Sequence, residues 1–325
     1  MKRVADIITT EGYARHDARG MDFILRLGGK CVRFDPSPRY YQNREGEDRA
    51  REFVLQEKLF RGTDVVLFSH FHNDHFGAEF LESADRERDM VAVYPNSFER
   101  SRAGLDKKLH RKYDRRMALV KERCASTVEV GYYARWKLNG LLLEFKPFRH
   151  SCYKGYDLGD VLTAYLHDGE KGVFFSSDIS GPEYDDACEW IIGKDPQLLI
   201  LDGPFHGIMS VPGKNVRQVK KFACDLEKSY KNFRDIVAVT PNLEKVLVCH
   251  HFMKGFPLPD NALDRVPNEL RERLRKLKVD HETRGIIARR YDGVEKTISR
   301  LLDAADDRDV KIYLPSMIKD GRIRF

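Results

Sequence analysis

The chain has 325 residues, of which 42% are hydrophobic and 33% are charged, with a formal net charge of +6. This composition argues against a disordered chain, and no apolar run approaches the roughly 20 residues needed to cross a bilayer. The N-terminal segment, MKRVADIITTEGYARHD, has no apolar stretch of the length found in secretory signals. We therefore expect a cytoplasmic protein without a membrane partner.

Short apolar runs alternate with helical patterns along most of the chain, which is typical of an α/β architecture. Turn residues such as Asp35-Pro36 separate several of these runs. We predict one main domain over residues 1–256. Its predicted strands are Phe23–Leu27, Cys31–Phe34, Val65–Ser69, Val91–Tyr94, Leu141–Phe145, Val161–Leu166, Val173–Ser176, Leu198–Leu201 and Val246–Cys249.

A basic helical insertion is predicted at about 96–135. Apolar residues recur there at three- or four-residue steps and predict a helix over 105–120 with one apolar face; they are Leu105, Leu109, Tyr113, Met117 and Val120. From Glu99 to Arg123 there are ten Lys/Arg and four Asp/Glu, an excess of six that equals the net charge of the whole chain. We expect the basic side chains to face solvent or substrate, namely Lys108, Arg111, Lys112, Arg115 and Arg116.

Residues 257–325 are predicted to form a helical extension packed on the same domain. Its first part places Leu263, Leu270, Leu274 and Leu277 among charged residues. A second helical pattern contains Val294, Ile298, Leu301 and Leu302, and a strand-like KIYLP follows it.

The most informative segment follows the predicted strand Val65–Ser69 and contains His70, His72, Asp74 and His75. Side chains two residues apart in an extended segment project to the same side, so His70 and His72 can share one ion at about 2.0–2.1 Å. Asp74 and His75 lie on the next turn and can reach a second ion. A solvated surface loop would not explain three of the chain's eleven histidines within six positions. The sequence therefore predicts a metal site.

The pattern H-x-H-x-D-H after an apolar strand resembles the signature of the metallo-β-lactamase superfamily. This resemblance spans about residues 23–251 and implies a four-layer αβ/βα sandwich that binds two divalent metal ions. A narrower similarity to an uncharacterised, largely archaeal branch of predicted metal-dependent hydrolases lies in three segments. They are Ser177-Asp178-Ile179-Ser180-Gly181-Pro182, Leu201-Asp202-Gly203-Pro204 and His250-His251.

The resemblance also implies ligands at the ends of later strands. His150 matches the third histidine of the family, and Asp178 matches the carboxylate that bridges the two ions. The last histidine is His250 or His251, and the apolar-small-His ending of the strand favours His250.

Further polar residues are expected around these ligands. Asp35 matches the early aspartate of the family, which supports the metal ligands from behind, and Asp202 is predicted to hold a loop or a ligand in place. Asp74 would also accept a hydrogen bond from the nucleophilic water. His206 is the candidate general acid, with an exposed loop histidine as the alternative interpretation. Three basic residues flank ligand positions and are candidates for binding an anionic substrate, namely Arg149, Lys154 and Lys254.

These ligands predict a metallo-hydrolase in which a hydroxide that bridges two metal ions attacks an ester-like or phosphodiester bond. Zinc is favoured, and iron and manganese are compatible with the same ligands. The substrate is a small ester, thioester, lactone or cyclic phosphate, or else RNA or DNA that contacts the basic helix 105–120. A single-iron dioxygenase on the same fold is the alternative class. Diiron flavoproteins are disfavoured because they have glutamate at the position of His72.

Overall fold

The computed structural model describes residues 6–9, 22–37, 62–72, 75–77, 81, 87–96, 107–150, 159–204, 216–248, 268, 271–272, 275, 281–313 and 322–324. The chain divides into two compact units, one of residues 1–172 with 319–325 and the other of residues 173–318. The predicted boundary near residue 257 lies outside the described residues. No helix within the described ranges is both long enough and apolar enough to cross a membrane.

The first unit contains a sheet of seven strands in the order β14-β1-β2-β3-β4-β5-β6. The strands from β14 to β3 pair in antiparallel fashion, and those from β3 to β6 pair in parallel. The carboxyl ends of β3, β4, β5 and β6 therefore meet at one edge of the sheet. The bounds are β1 Asp6–Thr9, β2 Phe23–Leu27, β3 Lys30–Phe34, β4 Val65–Leu67, β5 Glu87–Pro95, β6 Cys124–Val130 and β14 Arg322–Arg324.

A second group of strands in this unit is antiparallel and consists of β7 Ala134–Leu138, β8 Leu141–Arg149 and β9 Asp160–His167. Two-residue turns close both β2–β3 and β7–β8. Gly28 and Gly29 have φ of 60° and 75°, and Asn139 and Gly140 have φ of 48° and 92°. Positive φ at both central positions gives a turn whose twist matches the twist of the flanking strands, which explains the Gly-Gly and Asn-Gly sequences.

Helix α1 (Lys107–Arg123) corresponds to the predicted basic helix. Tyr113 and Val120 are buried and Met117 packs against the same core cluster, so the predicted apolar face is confirmed at these positions. The following residues, Cys124–Val130, form β6 and pair in parallel with β5. The region predicted as a helical insertion therefore also contains a strand of the main sheet.

The second unit alternates strands and helices. Its strands β10 (Gly172–Phe175), β11 (Leu198–Leu201), β12 (Lys245–Val248) and β13 (Lys311–Tyr313) are parallel and adjacent in this order. The strands β10 and β11 are completely buried, as expected when helices cover a parallel sheet. The intervening helices are α2 (Asp185–Lys194), α3 (Val216–Val239) and α4 (His281–Asp307).

Helix α4 and strand β13 confirm the second part of the predicted extension. Val294, Ile298 and Leu301 are buried on one face of α4, which packs against α3. The leucines predicted to lie on the first helix of the extension fall outside the described residues, namely Leu263, Leu270, Leu274 and Leu277.

Candidate metal centre

The histidine-rich segment leaves the main sheet directly after β4. This strand ends at Leu67, two residues before the predicted end, because the Ser69 N–H donates to the Asp35 carboxylate at 2.6 Å. Asp35 follows β3, the parallel neighbour of β4, so both segments start from the same edge of the sheet. His70 and His75 are buried and His72 is half-buried.

Three imidazoles converge in the first unit. The ring centroids of His70 and His72 lie 4.5 Å apart, and His150 lies 5.0 Å from each of them. One nitrogen from each ring lies within 4.8 Å of the nitrogens of the other two. Two atoms bound to one ion at about 2.1 Å each lie at most about 4.2 Å apart, so the three rings are within a small side-chain movement of tetrahedral coordination. This cluster could hold one metal ion.

His150 reaches this cluster through the antiparallel strands. It follows β8, and its N–H donates to the Gly159 carbonyl at 2.9 Å, just before β9. Strand β9 in turn contacts the histidine-rich segment, because the Leu162 N–H donates to the Ser69 carbonyl at 2.8 Å. Backbone hydrogen bonds thus connect the segment of His70 with that of His150, which lies 80 residues later in the sequence.

Asp35 contacts the buried ring of His75. Its Oδ2 lies 2.7 Å from His75 Nδ1, and both side chains are completely buried. A carboxylate acceptor places the ring proton on Nδ1, which leaves Nε2 with the lone pair that a metal ion requires. Burial raises the pKa of the Asp35 carboxyl, while the neighbouring His75 ring and the hydrogen bonds from His75 and Ser69 act in the opposite direction.

Ser69 extends the same network to His70. Its hydroxyl donates to Asp35 Oδ2 at 2.6 Å and lies 3.0 Å from His70 Nδ1. Because the hydroxyl proton points to the carboxylate, the oxygen accepts from His70 Nδ1–H, and His70 also presents Nε2 as its ligand atom. One carboxylate therefore orients two histidines. These contacts are the ones that the predicted supporting role of Asp35 requires.

In the second unit, Asp178 lies in a tight loop after β10. Asp178 is 2% exposed, and two and three residues later Ser180 and Gly181 have φ values of 54° and 74°. A Cβ atom at Gly181 would lie 2.4 Å from the Pro204 nitrogen, so this position requires glycine for both its φ and its packing. The close approach of the two loops explains why the chain has glycine at position 181.

Asp202 holds this loop by its backbone. Its two carboxylate oxygens accept from the N–H groups of Ser180 and Gly181 at 2.6 and 3.0 Å. From helix α3, the Ser229 hydroxyl donates to the Ser180 carbonyl at 2.6 Å, and Asn232 donates to the Pro182 carbonyl at 3.1 Å. Asp202 is therefore placed to fix a loop, which is one of the two roles predicted for it.

Several predicted site residues lie outside the described part of the chain, namely Asp74, Lys154, His206, His250, His251 and Lys254. Arg149 is described, and its side chain is exposed at the end of β8.

Three supporting residues were missed by the sequence reasoning, namely Ser69, Ser229 and Asn232. Ser69 could have been noticed because it precedes His70 and is the only polar residue of the predicted strand Val65–Ser69. Ser229 and Asn232 have a weaker signal, since both lie on the buried side of an otherwise apolar helical pattern.

Comparison with known proteins identifies the family. Residues 31–229, more than half of the chain, match the model of the β-lactamase superfamily domain. The chain belongs to the β-lactamase superfamily. The predicted metallo-β-lactamase fold is thereby confirmed, and members of this superfamily are mostly metal-dependent hydrolases. The match includes every described residue of the metal cluster and its supporting contacts up to Ser229.

The predicted resemblance to a largely archaeal branch is also confirmed. A UPF0282 protein of Korarchaeum cryptofilum is 23% identical over 79% of this chain and 78% of its own length. UPF0282 protein MK0213 of Methanopyrus kandleri is 26% identical over 75% of this chain and 83% of its own length. The crystal structure of unliganded yeast PDE1 covers 99% of both chains with a TM-score of 0.50 and 9% identity, a likeness of fold alone.

Proposed function

We propose that this superfamily member is a hydrolase that cleaves an ester-like or phosphodiester bond with water activated at two divalent metal ions, of which zinc is favoured. The observation that carries the proposal is the convergence of His70, His72 and His150. When bound, the metal would lower the pKa of a coordinated water to near neutrality and polarise the bond that is attacked.

The donor set supports this assignment. The described donors of this cluster are three imidazole nitrogens, which can bind zinc, iron or manganese. A closed structural zinc site, in contrast, typically contains cysteine thiolates. The three ligands that the described residues supply would leave a position for water, which a catalytic site requires. His72 is half-buried whereas His70 and His150 are buried, so the side of His72 is the proposed side of access to the cluster.

The supporting residues of the first unit prepare the ligands before any metal binds. Asp35 and Ser69 fix the ring protons of His75 and His70 on Nδ1, so neither ring needs to change its tautomer. Such orientation of the ligands generally raises metal affinity and keeps the site geometry constant during turnover.

The remaining ligands are proposed from sequence position. Asp178 is the proposed bridging carboxylate, with Asp74, His75 and either His250 or His251 as further ligands of the second ion. His206 is proposed to protonate the leaving group. The burial of Asp178 and the firm hold on its loop by Asp202 are what a ligand position requires.

Metal content and activity test the proposal together. Protein purified without added metal should contain two zinc ions per chain, and the metal-replete enzyme should hydrolyse at least one substrate of a panel of phosphodiester, ester, thioester, lactone and single-stranded RNA. His150→Gln should lose one metal and nearly all activity. His281→Gln is the control, because His281 is exposed at the start of α4. One iron per chain with no hydrolysis would favour the dioxygenase alternative instead.

A nucleic-acid substrate is a narrower form of the proposal, supported by the exposed Arg111 and Arg115 on α1. If these side chains bind phosphates of single-stranded RNA, reversing both charges to Glu should weaken binding. The slope of log K against log salt, which is negative, should then become shallower by about 1.4, which is roughly 0.7 per lost phosphate contact. The metal content should stay unchanged. An unchanged salt slope would reject an RNA contact at this helix and favour a small substrate.

A further inference from the structure

We infer that Arg116 of helix α1 is a positioning residue for the metal site, because it fixes the peptide group that carries His72. The inference rests on the proposed function in one respect, that the histidine cluster binds a metal ion. It assigns to the basic helix a role in building the site, in addition to any contact with substrate.

Arg116 differs from the two preceding arginines of the same helix. Arg111 and Arg115 are exposed, whereas Arg116 is half-buried, as is Lys112, contrary to the expectation that these basic residues all face solvent or substrate. Its Nη1 donates a hydrogen bond to the Phe71 carbonyl, 45 residues away in sequence. Its guanidinium also lies over the Phe76 ring, 4.9 Å from the centroid.

These two contacts lie at both ends of the ligand-bearing segment. Phe71 stands between His70 and His72, and Phe76 follows His75. The Phe71 carbonyl and the His72 nitrogen belong to one planar peptide group, so fixing this oxygen also fixes the plane from which the His72 side chain departs. Arg116 therefore acts on His72 through a single rigid unit.

The apolar surroundings make this hydrogen bond stabilising. Phe71 and Phe76 are each 1% exposed, and their ring centroids lie 5.4 Å apart. Tyr113, one turn before Arg116 on α1, lies 6.0 Å from the Phe71 ring and 6.1 Å from the His72 ring. A carbonyl on such an apolar cluster needs a donor because an unsatisfied buried polar group is costly. An arginine supplies a charged donor, which makes the stronger kind of hydrogen bond.

Arginine suits this position better than lysine does. Its planar guanidinium can donate from one edge to the Phe71 carbonyl while its face lies on the Phe76 ring. A lysine ammonium could make either contact but would not match both at once. Arg116→Lys should therefore retain only part of the contribution that Arg116 makes to metal binding.

The test compares Arg116→Ala and Arg116→Lys with Arg115→Ala, a matched control that removes an exposed arginine from the adjacent position. Metal affinity is measured by titrating metal-free protein with Zn²⁺ against a chelator. The visible spectrum of the Co²⁺-substituted protein reports ligand geometry. We expect Arg116→Ala to lower metal affinity about tenfold, the lower end of the range for residues that support ligands. Its Co²⁺ spectrum should also change, and Arg116→Lys should recover part of both losses. Arg115→Ala should have the metal affinity and the Co²⁺ spectrum of the wild type.

Thermal unfolding of the metal-free proteins shows whether each variant folds. If Arg116→Ala does not fold, Arg116→Lys decides alone, and wild-type affinity with a wild-type Co²⁺ spectrum in that variant would overturn the inference. The same result in a folded Arg116→Ala would overturn it as well. Wild-type protein that binds no metal at all would refute the proposed function and this inference with it. Normal binding that is insensitive to Arg116 would refute only the inference.

Discussion

Replacing Asp35 by asparagine keeps the shape of the side chain and removes its charge and one acceptor. Asp35 accepts three hydrogen bonds, from the Ser69 N–H, the Ser69 hydroxyl and His75 Nδ1. An asparagine offers one oxygen and one NH₂ group to the same three donors. In either orientation, the NH₂ group of Asp35→Asn faces a donor, so at least one hydrogen bond is lost.

The consequences for stability and for metal binding follow from these contacts. A hydrogen bond to a charged group contributes about 1.5–3 kcal/mol, so we expect the free energy of unfolding to fall by at least about this amount. If the NH₂ group faces His75, the ring must move its proton to Nε2 to accept from the amide, and Nε2 can then no longer bind a metal. Loss of such a supporting carboxylate typically weakens metal affinity about 10- to 100-fold.

Urea unfolding of the metal-free protein and chelator competition measure the two effects separately. Asp22→Asn is the matched control, because Asp22 is also buried and accepts two hydrogen bonds, at 2.9 and 2.7 Å, from Arg33. We expect the control to lose stability without losing metal affinity. If Asp35→Asn binds zinc as tightly as Asp22→Asn does, Asp35 does not prepare the histidines, and the reasoning from tautomers is wrong.

Three further predictions concern other parts of the chain. Asp178→Ala should lose the second metal ion and nearly all activity; two bound metals with normal turnover would show that the bridging ligand is misassigned. Gly181→Ala should lower the free energy of unfolding by more than about 1 kcal/mol, since φ is 74° and the added Cβ lies 2.4 Å from a backbone nitrogen. Gly193→Ala on α2, where nothing lies within 4 Å, should be neutral or stabilising in the same urea titration. Iodoacetamide at pH 8 should alkylate the exposed Cys224 of the native protein but not the buried Cys124. Burial raises the pKa of the Cys124 thiol to about 12, so the reactive thiolate is scarce there. Mass spectrometry of the digested protein measures the labelling, and label on Cys124 but not on Cys224 would contradict the prediction.

The sequence alone predicted most of the buried strands, the basic helix and the histidine-rich segment, but not strands β1, β6, β7 and β14. An apolar strand followed by His70 and His72 depends on local patterning, and the helical period of Tyr113, Met117 and Val120 predicts the buried face of α1. The family resemblance drew on the same local motifs. These patterns can be detected in a single sequence because strand alternation and helical periodicity relate residues that are close in the chain.

Arg116 shows where this reasoning was incomplete. It lies three residues after Tyr113 and four before Val120, so the same helical period places it at the border of the buried face. Its charge led to the expectation that it faces solvent. Only the fold brings the Phe71 carbonyl to this position, and an arginine at the edge of an apolar face can be half-buried when such an acceptor is available.

The tertiary structure also decided which residues contact the candidate ligands and the loop of Asp178. Asp35 and Ser69 are 34 residues apart, and Asp202 and Ser180 are 22 apart. The parallel pairing of β3 with β4 and of β10 with β11 brings each pair together. A parallel pairing has no short turn that fixes it in the sequence, so its partner and register depend on the packing of the whole sheet. The candidate ligands can therefore be proposed from local sequence, whereas the hydrogen bonds that orient them form only when distant strands meet at one edge of a sheet.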